Sequence, residues 1–432
     1  MRIAYITAGA AGMYCGSCLH DNTLAAALQR MGHDVALIPT YTPIRTDETD
    51  VSIGRVFYGA LNVYLEQKLA LFRHAPAAVH WLFDRPALLN WVSGHGVSVD
   101  PHDLGELTLS VLQGEKGRQR RELEELIGWL KSSFSPDLVH ITNSMFLGLG
   151  GPIKRDLGVP VVCSVQGEDI FLEDLIEPYK NQVHQLLCAH ANDVDGIIAT
   201  SRFYADFMAE YLHIAQKNIR VVRLGIKLEG HGEGPEKPAG RPFVVGYLAR
   251  VCPPKGLHLL VEAFRDLANR VGREEVELRV AGYVSKGDRR YLDGIRDRVV
   301  AWGLGDSFEY IGEVNRAEKI EFLQGLDALS VPTTYKEPKG LFVLEALANG
   351  VPVVEPRHGA FPELIEATGG GLLVEPDSPS SLAAALATLR ENPALRSQLG
   401  QQGRRVVEKL YSDSVMAEAT LKIYREWTYN GS

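Results

Sequence analysis

Four charged side chains in two short stretches have the types and spacing for phosphate and hydroxyl chemistry. Glu337 lies in the run Tyr335-Lys-Glu-Pro-Lys-Gly-Leu-Phe-Val-Leu-Glu-Ala-Leu-Ala-Asn-Gly-Val-Pro-Val-Val354, and Glu345 follows it by eight positions. The spacing predicts a loop, a helix starting near Gly340 and a buried strand. Leu341, Leu344, Leu347 and Ala348 form an apolar stripe, Asn349-Gly350 is a stop signal, and Pro352 precedes a β-branched run. One carboxylate therefore precedes a helix N-terminus and the other rides its second turn. A helix N-terminus suits a phosphate, and Gly340 lets an anion approach the backbone. The two carboxylates are suited to accepting hydrogen bonds from hydroxyls, as on ribose or a sugar. The second stretch, Ala249-Arg-Val-Cys-Pro-Pro-Lys-Gly256, places Arg250 and Lys255 between a strand end and a helix start. Two cations there suit a diphosphate without a metal and supply the positive charge the carboxylate stretch lacks.

The elements that must position these groups are legible along the whole chain. Residues 1–40 read as strand, glycine-bearing loop, helix and strand, a βαβ opening without the dinucleotide fingerprint. Further β-branched strands follow at Leu138–Ile141, Val159–Val165, Gly196–Thr200 and Ile219–Arg223, separated by helices such as Phe146–Leu157 and Arg202–Tyr211. The stretch Glu229–Gly240 reads as a linker. A second βαβ series begins at Phe243–Leu248 and runs through Glu277–Ala281, Phe308–Ile311, Ala328–Val331, Val351–Glu355 and Leu372–Val374. The fold class is α/β, two doubly wound Rossmann-like domains, with ligands expected at the carboxyl ends of strands in the cleft between them. Between about residues 45 and 130 the pattern loosens into an insertion rich in large apolar groups, including Phe72, Trp81, Phe83 and Trp91. It reads either as a helical subdomain with its own core or as a surface that selects a substrate or partner.

Composition bounds the rest. The 432 residues carry a formal charge of −9 with 45% apolar and 23% charged residues, an ordinary globular balance that argues against nucleic acid. No apolar run is long enough to cross a membrane, the start lacks the core of a signal peptide, and an odd count of five cysteines fits a reducing compartment. A cytoplasmic protein is expected. Cys15-Gly-Ser-Cys18 has the spacing of a redox dithiol or half a metal site, with His20 and Cys163 as further ligands, but small residues in a tight strand-to-helix loop are the favoured reading. Asp193-Val-Asp195 resembles a D-x-D that holds a metal diphosphate, and a loop entering a strand is favoured for it.

The assembled residues resemble a family 4 glycosyltransferase of the GT-B fold (glycosyltransferase group 1). The resemblance is carried by Gly32-His-Asp-Val35, Gly246 through Arg250 to Lys255-Gly256, Val280-Ala-Gly282 and Ile311-Gly-Glu-Val314. It continues through Glu337-Pro-Lys-Gly340, Leu344-Glu-Ala346, Gly350-Val-Pro-Val353, Gly359-Ala-Phe-Pro-Glu363 and Gly371-Leu-Leu-Val374. It implies an acceptor-binding domain over 1–230, a nucleotide-sugar donor domain over 241–411, and a C-terminal helix, 412–432, crossing back to the first domain. It also implies a retaining, metal-independent hexosyltransferase that uses a nucleoside-diphosphate sugar as co-substrate and needs no cofactor. Arg250 and Lys255 would hold the donor diphosphate, Glu337 a donor-sugar hydroxyl and Glu345 the ribose. The backbone of Gly340, Leu341, Phe342 and Val343 would meet sugar and phosphate, Gly282 and Gly312 the base, and Gly16 the donor from the first loop. The acceptor would be a small molecule, a glycan or a lipid-linked molecule, with peripheral contact to a membrane allowed. A sugar-nucleotide epimerase, a phosphorylase, or an inactive nucleotide-sugar-binding protein are the other readings of the same pattern.

Three positions depart from the family. Cys15-Gly16 stands for a glycine pair, Gln166-Gly-Glu-Asp169 stands where many members have a histidine, and Lys339 replaces an aromatic residue. Gln166 still offers a donor and an acceptor to a sugar.

Overall fold

The computed structural model describes residues 1–9, 16–57, 101–238 and 240–429. Contacts divide the chain into two compact units, Met1–Gly225 with Met416–Ser432, and Ile226–Val415.

The first unit is built on six parallel strands in the order β2-β1-β3-β4-β5-β6. They are β1 (Arg2–Thr7), β2 (Asp34–Pro39), β3 (Leu138–Thr142), β4 (Val161–Val165), β5 (Gly196–Ala199) and β6 (Ile219–Val221). Alternation along each strand supplies a core on both faces. Ala4, Ile6, Val139, Ile141, Val161 and Cys163 face one cluster, while Ile3, Tyr5, Leu138, Val162 and Ile198 face another. The first cluster also takes in Val111, Leu112, Leu123, Leu126 and Ile127. The described helices of the insertion, Pro101–Leu112 and Arg120–Trp129, thus complete the core of the sheet. Phe72, Trp81, Phe83 and Trp91 lie outside the described residues.

The second cluster is closed by the C-terminal helix, Asp413–Tyr429, through Met416, Ala417, Leu421 and Tyr424. The Tyr424 hydroxyl is hydrogen-bonded to Nδ1 of buried His140 on β3, whose Nε2 meets Ser164 on β4. Burial pushes His140 down to about 3, so the imidazole is neutral. Tyr424→Phe removes one partner of a buried ring and is expected to destabilise the protein by about 1–3 kcal/mol, read by urea unfolding. No loss would mean that the Tyr424 hydroxyl adds nothing to the hold on the helix.

The second unit repeats the plan with order β12-β11-β10-β7-β8-β9. Its strands are β7 (Phe243–Leu248), β8 (Val276–Ala281), β9 (Phe308–Gly312), β10 (Ala328–Leu329), β11 (Val353–Pro356) and β12 (Gly371–Val374). Strand β10 is shorter than its sequence suggests, because Val331 gives its N–H to a side chain of β11 rather than to a neighbouring strand. The glycine-rich 229–240 segment is partly docked: Gly232 N–H donates to Asn349 Oδ1 at 3.2 Å, and His231 meets the same amide. Of the two chain crossings, Ile226 N–H donates to Tyr411 O and Asp413 N–H donates to Ile226 O, both at 2.9 Å.

Candidate functional site

Strand order decides which loops meet. Strand β10 pairs with β7, Leu329 opposite Gly246, so the connection after β7 and the connection after β10 leave the sheet side by side. The first carries Arg250 and Lys255, the second Tyr335, Glu337 and Lys339. Gly256 turns the first connection into the helix Leu257–Val271 with φ +72°, and a Cβ there would sit 1.7 Å from Pro332 O on the second. Only glycine lets the two backbones come this close.

Lys255 Nζ meets Glu337 Oε2 at 2.7 Å. The Tyr335 hydroxyl donates to the same oxygen at 2.6 Å, and the Lys339 and Gly340 amides approach Oε1 at 3.3 and 3.4 Å. Glu337 is only 4% exposed. Burial by itself would raise its carboxyl, but the Lys255 charge, the bonds from Lys255 and Tyr335 and the charge of Lys339 hold it down at about 2. Lys255 Nζ also lies 5.1 Å from the Tyr335 ring centre and 5.8 Å from that of Phe342. Gly340 begins the helix Leu341–Ala348 in the left-handed region, φ +74°, and a Cβ there would press Leu364 at 2.7 Å. The helix's leading amide therefore already serves a carboxylate; the amides of Leu341 and Phe342 follow it.

Arg250 is exposed, with Nε donating to Cys252 Sγ at 3.3 Å. Gly282, φ +145°, follows β8 so closely to β7 that a Cβ would lie 1.9 Å from Ala249 O. Its N–H donates to Gly312 O at 2.7 Å, and its own carbonyl accepts from the Tyr310 hydroxyl. Arg250, Gly282 and Gly312 thus belong to successive strand ends. Glu345 takes a different direction: it is buried and paired with Lys319 of the helix Arg316–Gly325. Lys319, Tyr335 and Cys252 were not singled out by sequence. Lys319 is masked by its polar helix, and nothing in the spacing announces a partner 26 residues away from Glu345.

In the first unit the strand ends hold a buried polar network. Asp21, fully enclosed, accepts from the Tyr5 hydroxyl at 2.8 Å, from Thr7 Oγ1 at 2.7 Å and from Gln166 Nε2 at 2.8 Å, with His20 Nδ1 at 3.2 Å. Burial raises the Asp21 carboxyl, and His20, Thr7 and Gln166 together bring it below its ordinary range. Gln166 is thereby committed to the interior through its amide nitrogen. Gly16 opens the helix Gly16–Arg30. Cys15 lies outside the described residues, and Cys18 and Cys163 are buried. Both carboxylates of the D-x-D have protein partners: Asp195 accepts from Lys154 Nζ at 2.7 Å and from Val161 N–H at 2.9 Å, and Asp193 pairs with His190. Among the described residues no group of three His, Cys, Asp or Glu is placed to hold a metal ion.

Residues 22–229 match the family model Glycosyltransferase Family 4, and residues 234–406 match Glycosyl transferases group 1. The chain belongs to the family 4 glycosyltransferases. This glycosyltransferase is 26% identical over 396 residues to the D-inositol 3-phosphate glycosyltransferase of Saccharomonospora viridis, covering 85% of this chain and 89% of that one. It is 24% identical over 294 residues to the glycogen synthase of Mycobacterium tuberculosis, 68% and 69% of the two chains. Its solved structural neighbours include the sucrose-phosphate synthase of Thermosynechococcus elongatus, with TM-score 0.72 at 17% identity over all of both chains. HepE of Anabaena, solved in complex with UDP, gives TM-score 0.70 at 17% identity, covering 99% of this chain and 100% of HepE. The two Rossmann-like units of this glycosyltransferase are those of the GT-B fold. No helix among its described residues is long and apolar enough to cross a membrane.

Proposed function

We propose that this glycosyltransferase transfers a sugar from a nucleoside diphosphate to an acceptor hydroxyl with retention of anomeric configuration and without a metal. The observation that carries the reading is the Lys255–Glu337 pair set against the glycine start of a helix. HepE, of the same fold, has also been solved with UDP-glucose, which supports a nucleoside-diphosphate sugar as donor.

Lys255 carries three N–H donors and spends one on Glu337, so it can meet a diphosphate oxygen while still holding the carboxylate. Arg250, exposed at the neighbouring strand end, supplies a second cation. Glu337, kept ionised, accepts from a sugar hydroxyl, and the amides from Gly340 to Val343 face sugar and phosphate. Glu345, with Lys319 on one oxygen, uses the other for the ribose. Gly282 and Gly312 admit the base beside their backbones. In the reaction the bond from the anomeric carbon to the diphosphate oxygen breaks, and its electron pair leaves with the phosphate. The acceptor oxygen bonds to the same face of that carbon, and its proton passes to a donor phosphate oxygen. Arg250 and Lys255 stabilise the charge that develops on the leaving group. No side-chain nucleophile is required, and both members of the D-x-D are already occupied by protein groups. In this reading the acceptor binds the first unit.

A thermal-shift screen of nucleoside-diphosphate sugars, followed by hydrolysis and transfer assays with and without EDTA, tests the reading. A stabilising shift with at least one donor and turnover that survives EDTA are expected. Silence toward every sugar nucleotide would sink the donor site, and activity lost to chelation would end the metal-free mechanism.

A further inference from the structure

Glu355 of β11 is fully buried, yet one backbone amide, Val331 N–H, serves both its oxygens at 3.1 and 3.3 Å. A buried carboxylate ordinarily needs several donors or a cation. Val331 lies just past β10, in the connection that runs on to Tyr335 and Glu337. That connection is tied to β11 and its following loop at four places. Ser330 Oγ donates to Val354 O at 2.6 Å, Val331 meets Glu355, His358 Nε2 meets Thr333 O at 2.9 Å, and Ala360 N–H donates to Glu337 O at 2.8 Å. Glu355 makes the tie that ends β10, the point where the backbone leaves the sheet for the site.

We propose that Glu355 is a positioning residue of the donor site, and that the hydrogen-bonding shape of its carboxyl, not a negative charge, holds the loop bearing Glu337 against Lys255. The proposal rests on the reading of Lys255 and Glu337 as the donor site. Burial pushes the Glu355 carboxyl well above its usual range; the Val331 amide pulls the other way, Glu337 adds to the rise and Lys255 opposes it. Tyr247 of β7, raised first by burial, also feels Glu355. Among the described residues, the other helices and strands packed on β11 carry only paired charges or none. Glu345 in the helix Leu341–Ala348 is paired with Lys319. In the helix Pro379–Glu391, Arg390 and Glu391 are paired with Glu275 and Arg270. Strand β12, Gly-Leu-Leu-Val374, has no titratable side chain. With its proton on, Glu355 leaves Lys255 to Glu337 and the diphosphate. Ionised, it would compete for that lysine and repel the donor.

The test compares wild type, Glu355→Leu and Glu355→Gln in the full chain, titrated with UDP, GDP and ADP by calorimetry at pH 6 and pH 9. With whichever nucleotide binds, Glu355→Leu is expected to weaken affinity about tenfold or more at pH 6. Glu355→Gln, which keeps an acceptor for Val331 and cannot ionise, is expected to restore it to within about threefold. At pH 9 the wild type is expected to lose more affinity than Glu355→Gln. Thermal unfolding gives a second readout that needs no ligand. Because the folded state raises the Glu355 carboxyl above its unfolded value, its contribution is complete below about pH 4.5 and is lost as pH rises. The melting temperature of Glu355→Gln should therefore gain on the wild type steadily above that pH. Should Glu355→Leu fail to fold, the wild type and Glu355→Gln still decide. Parallel pH dependence of those two, or Glu355→Gln binding as poorly as Glu355→Leu, overturns the proposal. Failure of the wild type to bind any nucleotide defeats instead the donor reading beneath it, while the unfolding comparison still reads the carboxyl.

Discussion

Lys255→Ala is expected to lower kcat/KM for the sugar donor by about 100- to 1,000-fold, the usual cost of deleting one preorganised group that meets developing charge. Lys255 is half-buried and faces the site from the end of β7, and the charge it would offset appears on the leaving diphosphate as the glycosidic bond breaks. The loss should fall mainly on kcat, because a ground-state diphosphate retains Arg250 and the helix amides. A competing explanation is that the variant simply damages the fold, since alanine leaves Glu337 buried without its cation. That alone costs about 3–5 kcal/mol when a buried ion pair is broken from one side. The double variant Lys255→Ala with Glu337→Gln separates the two effects, because it removes the orphaned charge. Stability is expected to return in the double variant while turnover stays well below that of Glu337→Gln alone. Near-normal turnover of Lys255→Ala would show that the diphosphate is bound elsewhere, and a double variant that turns over as fast as Glu337→Gln alone would make Lys255 a purely structural residue.

The pairing of Lys255 with Glu337 was half legible in the sequence. Both residues stood out, one by a cation between strand and helix, the other by a carboxylate before a glycine. Their contact spans 82 residues and depends on β10 lying next to β7, which alternation of strand and helix does not specify. The same alternation placed the strands well, because parallel strands covered on both faces read as continuous apolar runs. It failed at their ends: the sequence carries β10 on to Val331, but Val331 serves Glu355, so the strand stops at Leu329. Glu345 was placed on its helix correctly, but Lys319 was not linked to it, because a lysine in a polar helix gives no sign that it is buried. Gln166 shows the same limit from the other side. As a departure from a family histidine it drew attention, yet its amide nitrogen is spent on Asp21, whose own chain position offered no hint of enclosure.

Glu337→Gln is the sharper test of the pair, because it changes the charge and keeps the shape. The carboxyl stands at about 2 in the folded protein against 4.5 for the free group, so folding holds the ionised form. Its contribution is present above about pH 4.5 and is lost as pH falls toward 2, a gap on the order of 3 kcal/mol. The glutamine variant should therefore be less stable than wild type at neutral pH and converge with it in acid, read by unfolding curves taken at successive pH values. Asp21 in the first unit is also held below its ordinary range and has the same sign, so the acid limb of the variant shrinks without vanishing. Asp21→Asn should remove the complementary part. Turnover is expected to drop about 100-fold in Glu337→Gln, since an amide accepts a sugar hydroxyl more weakly than a carboxylate and no longer holds Lys255 by charge. Between pH 5 and 8 the wild-type rate should show no acid limb from Glu337, because the group is already ionised throughout. Such a limb in wild type that disappears in Glu337→Gln would mean that Glu337 titrates in the working enzyme, and that Lys255 leaves it when the diphosphate arrives.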